Sequence, residues 1–383
     1  MRATAWFYVG ILALALLVLV VGNRIARWET GEWHGPTIVT ARVVEIISRV
    51  EEVHVIRQGV EIVHIDVHFR AYVTSGERRG YSDMHHSWVT HVGESTPVVR
   101  QGDRVLLIYA EGREMFFFFD FLRIHFVGIL AIVFFLLILF FGRAKGFTSL
   151  IALGFTCASI FFMFIPAILS GWNIYLATAV LCAYAVLFTL LLVVGPNAKA
   201  ISATLGCFGG VLFAALLMLL TSEVLRISGL VDSTSQQLFV LPTPRPLDLR
   251  AIVFAGVIIG AVGAIMDVAM SIASALWEIG DSGGAKDFAG FFKAGINIGR
   301  DIMGTMLNTL ILAYIGSSMT MILLLTGSTL PMLQLLNSEQ IVVELIRALV
   351  GSFGMLLAIP LTAAICAWVY PRFMRVADTT DTH

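Results

Sequence analysis

The feature that most constrains this chain is a succession of long apolar runs. The hydrocarbon core of a bilayer is about 30 Å thick and a helix rises about 1.5 Å per residue, so a spanning helix needs about 20 mostly apolar residues. Runs of this kind fall at 5–22, 122–141, 147–169, 174–194, 201–221, 251–277, 301–325 and 342–370. Lipid offers no hydrogen bonds to a bare backbone, so each run is expected to be a helix. The predicted fold class is an α-helical membrane bundle of about eight transmembrane helices with a small extracytoplasmic β-rich domain. Composition agrees, with 58% hydrophobic and 13% charged residues against about a quarter charged in an ordinary soluble domain. A net charge of −1 gives no footing for a nucleic-acid partner.

Four domains follow: an anchor at 1–22, an outer β-rich domain at 23–120, a seven-helix bundle at 121–375 and a tail at 376–383. The segment Trp6–Gly22 is read as a retained anchor, because it is long and lacks a clean small-x-small cleavage site. Arg143, Lys145, Lys199, Lys286, Lys293, Arg300, Arg372 and Arg375 fall on one side when the spans alternate. By the positive-inside rule both termini are cytoplasmic and 23–120 lies outside. That region alternates apolar and polar residues in Thr37–Ile47, Glu61–Val73 and Arg104–Phe118, the period of strands in a small antiparallel sheet or barrel. Lys286–Ile298 spaces Phe288, Phe291, Phe292 and Ile296 as a short interfacial helix would. All four cysteines lie in apolar runs, so no disulfide framework or C-x-x-C metal site is on offer.

The sixth run carries Gly256, Gly260, Gly263, Asp267, Ser271, Ser274 and Glu278 at intervals of three or four, hence on one helix face. Its glycines fit close helix packing, and its polar half should avoid lipid. The seventh run answers with Asn297, Asp301, Gly304, Thr305 and Asn308. If the two helices are antiparallel with Glu278 level with Asn297, Asp267 falls opposite Asn308 and Ser274 opposite Asp301. Asp267, Ser271, Ser274, Asp301, Thr305 and Asn308 are therefore the candidate ion- or substrate-binding residues. For Asp301 the competing explanation is a helix N-terminal residue favoured by the macrodipole. In the last run Glu344 and Arg347 suggest a local ion pair. In the outer region His64, Asp66 and His68 share one strand face, which suits a transition metal or a plain solvated surface. No Walker loop or His-Glu-x-x-His helix occurs, so an enzyme is not expected and no cofactor is assigned.

Gly263–Leu276 and Gly295–Tyr314, with Gly102-Asp103-Arg104-Val105-Leu106 closing the outer domain, resemble the YibE/F family of bacterial multi-pass membrane proteins. The resemblance implies a bacterial inner-membrane location and supplies no settled activity. Three functions compete. The first is a transporter or permease using the polar seam for a proton, cation or small solute. The second is an intramembrane aspartyl protease, disfavoured because a shared-proton pair must nearly touch whereas Asp267 and Asp301 sit about 10 Å apart in level. The third is a non-transporting envelope scaffold or sensor with a ligand- or metal-binding outer domain. The expected partners are the lipid bilayer, a small ion or solute, and a second copy, since glycine faces serve packing within or between chains.

Overall fold

A computed structural model describes residues 2–25, 37–55, 61–76, 79–91, 96–110, 115–241, 243–284, 287–327 and 331–380. The chain divides into two compact units, Thr30–Leu137 and a second made of Met1–Glu29 with Ile138–His383.

The first unit holds five antiparallel strands: β1 (Thr37–Val55), β2 (Glu61–Val73), β3 (Gly80–His91), β4 (Arg104–Ala110) and β5 (Met115–Phe121), in the order β3-β2-β1-β4-β5. β1 is long enough to serve both halves, pairing with β4 through Thr37–Arg42 and with β2 through Ala41–Val55. Register shifts at Val43/Glu45 and Ile46/Ser48 bend it between the two. Alternation then sorts the faces. Val39, Ala41, Val43, Ile65, Val67, Phe69, Ala71, Val73, Val105 and Leu107 are buried on one side. The sheet curls until its edges meet, with Phe118 of β5 lying 5.3 Å from Trp88 and 4.7 Å from His86 of β3, ring centre to ring centre. The result is a small, partly open barrel, one of the two forms, sheet or barrel, that the period-two pattern allows. Arg104–Phe118 turns out to be two strands, and β3 was not foreseen. In β3 histidine and tryptophan occupy the inward positions where aliphatic residues usually announce a strand.

The second unit is helical. α1 covers Arg2–Ile25, and α2 runs from Ile124 in the first unit to Ser159 in the second. A π-helical turn at Ile160–Phe164 and α3 (Ile165–Leu169) follow, with Pro166 at the start of α3 removing a donor. Then come α4 (Ile174–Val194), α5 (Ala198–Val224), α6 (Ser233–Phe239), α7 (Leu249–Asp281), α8 (Phe288–Ser317), α9 (Met319–Thr326), α10 (Met332–Leu336) and α11 (Glu339–Thr380). Asn173, Asn197, Asp232, Asp248 and Asp287 cap the starts of α4, α5, α6, α7 and α8, each accepting a hydrogen bond from a first-turn N–H.

Five helical stretches among the described residues are long and apolar enough to cross a membrane: Ile124–Leu169, Ile174–Val194, Ala198–Val224, Leu249–Asp281 and Glu339–Phe373. Two of the three differences from the eight expected runs have a physical reason. Runs 122–141 and 147–169 form one continuous stretch of 46 residues. It is broken at Arg143 (φ 48°, ψ −127°), where Gly146 backs against the carbonyl of Ile138. In α1 the described apolar stretch is Gly10–Gly22. In α8 the polar residues Asp301, Thr305, Asn308 and Thr309 dilute the apolarity. The expected interfacial helix at Lys286–Ile298 is also corrected, since Phe288 onward is the first part of α8 and Phe291 is fully buried beside Tyr370 of α11.

α11 lies at the centre of the bundle core, packed against α5, α7 and α8. Glycines make these approaches possible. On the α5–α11 contact a Cβ at Gly206 would strike Thr362, and one at Gly210 would sit 2.8 Å from the Gly354 carbonyl oxygen. On the α8–α11 contact, Gly295 and Gly299 face Ala363 and Ile359. The seam between α7 and α11 is further tied by the Tyr370 hydroxyl, which donates to the Ala273 carbonyl at 2.8 Å.

Candidate functional site

Within α7 the buried residues Val257, Ile258, Ala261, Val262, Ile265, Val268, Ala269, Ile272, Ala273 and Leu276 form the face turned to the core. The opposite face is the small and polar stripe, and Gly256, Gly260, Gly263, Asp267 and Ser271 are all exposed. A Cβ at Gly256 or Gly263 would meet nothing within 4 Å, and one at Gly260 would meet only the Tyr314 hydroxyl at 3.2 Å. Among the described residues, then, the expected close packing is met at Gly260, against Tyr314 of α8, and not at Gly256 or Gly263. The other glycines that pack are those of α5, α8 and α11, where the neighbouring helix supplies a carbonyl or a branched side chain.

Asp267 stands near the middle of α7, about 21 Å of helix from Asp281 and about 27 Å from Leu249. It opens onto a cleft of about 410 Å³ walled by the second half of α2, by α4 and by α7. The lining is apolar apart from Ser149, Thr156, Cys182, Thr189 and Asp267, so Asp267 is the one charged residue among the described lining. Ser149 already donates to the Lys145 carbonyl at 2.9 Å. No described side chain pairs with the Asp267 carboxylate, either as hydrogen-bond donor or as counter-ion. Periodicity located this residue, but its wall is a surprise. α2 and α4 are nearly featureless apolar helices whose few hydroxyls carry no sequence signal.

The seventh-run partners lie elsewhere. α7 and α8 are neighbours, with Leu276 beside Gly295 at one level and Gly260 beside Tyr314 at another, an antiparallel register close to the expected one. Even so Asp301, Thr305 and Asn308 are exposed, and none of them lines the cleft. The Thr305 hydroxyl donates to the Ile302 carbonyl at 3.0 Å, within its own helix. Asp301 sits well inside α8, beyond the first turn, so the macrodipole does not account for it. Ser274 is half-buried, and Glu278 at the stripe's end pairs with Lys199 of α5 at 2.9 Å. Glu344 and Arg347 form the expected ion pair at 2.7 Å.

In the barrel His64, Asp66, His68 and Arg70 share the outward face of β2, as alternation requires. Their neighbours occupy them in other ways. Asp66 accepts from the Ser87 hydroxyl and lies 3.9 Å from His85. His64 turns edge-on to His54, and Arg70 forks onto Asp83 at 2.7 and 3.0 Å. Among the described residues no three His, Cys, Asp or Glu side chains converge as a metal site would require.

The family model for YibE/F-like proteins matches residues 130–372, well over half of the chain. The chain belongs to the YibE/F-like family. No curated protein and no solved structure shows significant similarity to it. The match covers every helix that walls the Asp267 cleft and stops short of the barrel, so the cleft lies in the part of a YibE/F-like protein that defines the family.

Proposed function

We propose that this chain is a transporter of a proton or small cation, with Asp267 as the titrating or ion-holding group of the cleft. It would cross the bacterial inner membrane eight times, with both termini cytoplasmic and residues 23–120 outside. The count comes from α1, two passes of the stretch broken at Arg143, α4, α5, α7, α8 continued by α9, and α11. The observation that carries the reading is the unpaired carboxylate of Asp267, midway along a membrane helix and open to a cleft of about 410 Å³. A carboxylate at the bilayer centre costs about 2.5–3.5 kcal/mol on insertion scales, so it persists where protonation, a bound cation or water offsets that cost. Oxygen ligands suit a proton or a hard cation, and the hydroxyls of Thr156 and Thr189 supply further oxygens along the same wall. A protease reading gains nothing from the site, because the second carboxyl that a shared-proton pair demands does not line the cleft.

The experiment is flux of the purified full chain in proteoliposomes, read with an entrapped pH- or cation-sensitive dye under an imposed gradient. Wild type is expected to dissipate the gradient. Asp267→Asn, isosteric and uncharged, is expected to lose at least about tenfold of the rate, the equivalent of about 1.4 kcal/mol. An Asp267→Asn protein that elutes as wild type and transports as wild type would remove this residue from the mechanism.

A further inference from the structure

β5 and the strands beside it expose an apolar surface that the barrel does not use. The inward side chains of β5 are Phe116, Phe118 and Phe121, packed on the core of the barrel. Alternation sends Met115, Phe117 and Phe119 outward, and the register shift opposite Leu106/Leu107 brings Phe121 inward. Phe117 pairs with Ile108 of β4, which pairs with Ile38 of β1, so three apolar side chains run in one row across three strands. Ile38, Met115, Phe117 and Phe119 are exposed by 49%, 54%, 38% and 55%. On a domain standing free in water such a row would be an aggregation hazard.

The chain itself says what lies beside this row. β5 ends at Phe121 and the apolar stretch that begins at Ile124 follows after two residues. At no more than about 3.6 Å per residue, the Cα of Phe119 lies within about 18 Å of that of Ile124. The intervening Arg123 pairs with Asp120 at 2.7 Å and stacks its guanidinium 5.6 Å over the Phe121 ring. A cation and aromatic rings at the mouth of a spanning segment are the residues that bilayers hold at the headgroup level.

We propose that the β1-β4-β5 face of the barrel is a lipid-binding surface, on which Ile38, Met115, Phe117 and Phe119 enter the headgroup and acyl boundary of the outer leaflet. The inference uses none of the chemistry assigned to Asp267. Across the barrel from β4 and β5, the outward face of β2 carries His64, Asp66, His68 and Arg70 and belongs in water.

The test is collision accessibility of nitroxide spin labels on the full chain, reconstituted in phosphatidylethanolamine and phosphatidylglycerol vesicles. Phe117→Cys and Phe119→Cys are labelled in a background whose four cysteines are replaced by alanine, with His64→Cys on β2 as the water reference. At 117 and 119 oxygen is expected to collide more often than a water-soluble nickel chelate, and at 64 the order is expected to reverse. A nickel-dominated label at both 117 and 119 would place the face in water and overturn the proposal. Low access to both reagents at both positions would place it under protein, in contact with a second copy or with another part of the chain, and would overturn it equally. Two labelled positions guard against the failure of either variant to fold.

Discussion

Replacing Gly210 by alanine probes the packing that holds the helical unit together. A Cβ there would stand 2.8 Å from the Gly354 carbonyl oxygen, 2.9 Å from the Ala358 Cβ and 2.9 Å from the Ile265 Cγ2. Two of these atoms belong to α11 and one to α7. A carbonyl oxygen and a methyl group cannot rotate aside, so α5 has to move away from both neighbours. Overpacking of this kind costs about 1–3 kcal/mol. Alanine in place of glycine in a helix interior also recovers about 0.8–1 kcal/mol of propensity, which would mask part of the loss. Gly256→Ala in α7 separates the two effects, since it gains the same propensity and meets nothing within 4 Å. The expected outcome is that Gly256→Ala is as stable as wild type or up to about 1 kcal/mol more so, and that Gly210→Ala falls about 1–3 kcal/mol below it. Reversible unfolding of the full chain in detergent micelles, followed by circular dichroism, measures the difference. If Gly210→Ala equals or exceeds Gly256→Ala, the close approach of α5 to α11 is wrong. If Gly256→Ala is the damaging one, the α7 stripe is covered in the native assembly.

Two further outcomes check other parts of the structure. Burial beside Trp88 and Phe118 holds His86 below the usual imidazole range, with neighbouring His85 adding to the effect. A depressed value means that the unfolded chain protonates first, so the barrel's stability from this residue is complete above about pH 6.5 and is lost as pH falls through the folded-state value. Amide protection factors in β3 and β5 of the full chain should therefore fall on acidification from pH 7, and His86→Phe should flatten that dependence. Equal acid sensitivity in the variant would show that His86 is not the group responsible. Glu339 at the start of α11 accepts from the Ser228 N–H and hydroxyl at 2.8 Å and from the Gly229 N–H at 2.7 Å. Glu339→Ala should cost about 1–3 kcal/mol and speed proteolysis between 225 and 248, whereas unchanged cleavage would show that this clamp does not restrain the loop.

The sequence by itself determined the solvent and the local shapes. Uncharged runs of about 20 residues demand helices in lipid, and the alternation of Glu61–Val73 becomes β2 with its hydrophobic face inward. Both signals are properties of neighbouring residues, so they survive without a fold. The regular stripe on α7 likewise singled out Asp267. Only the tertiary structure decided what each face meets. Glycines at 256 and 263 look the same in sequence as those at 206 and 210, yet the first pair opens outward while the second admits α11. The polar residues of α8 share the levels of the α7 stripe but do not share its cleft, which is walled by α2 and α4 instead. Helical spacing fixes which residues share a face, whereas the element opposite that face depends on contacts between residues far apart in the chain. A spacing pattern carries no record of those contacts.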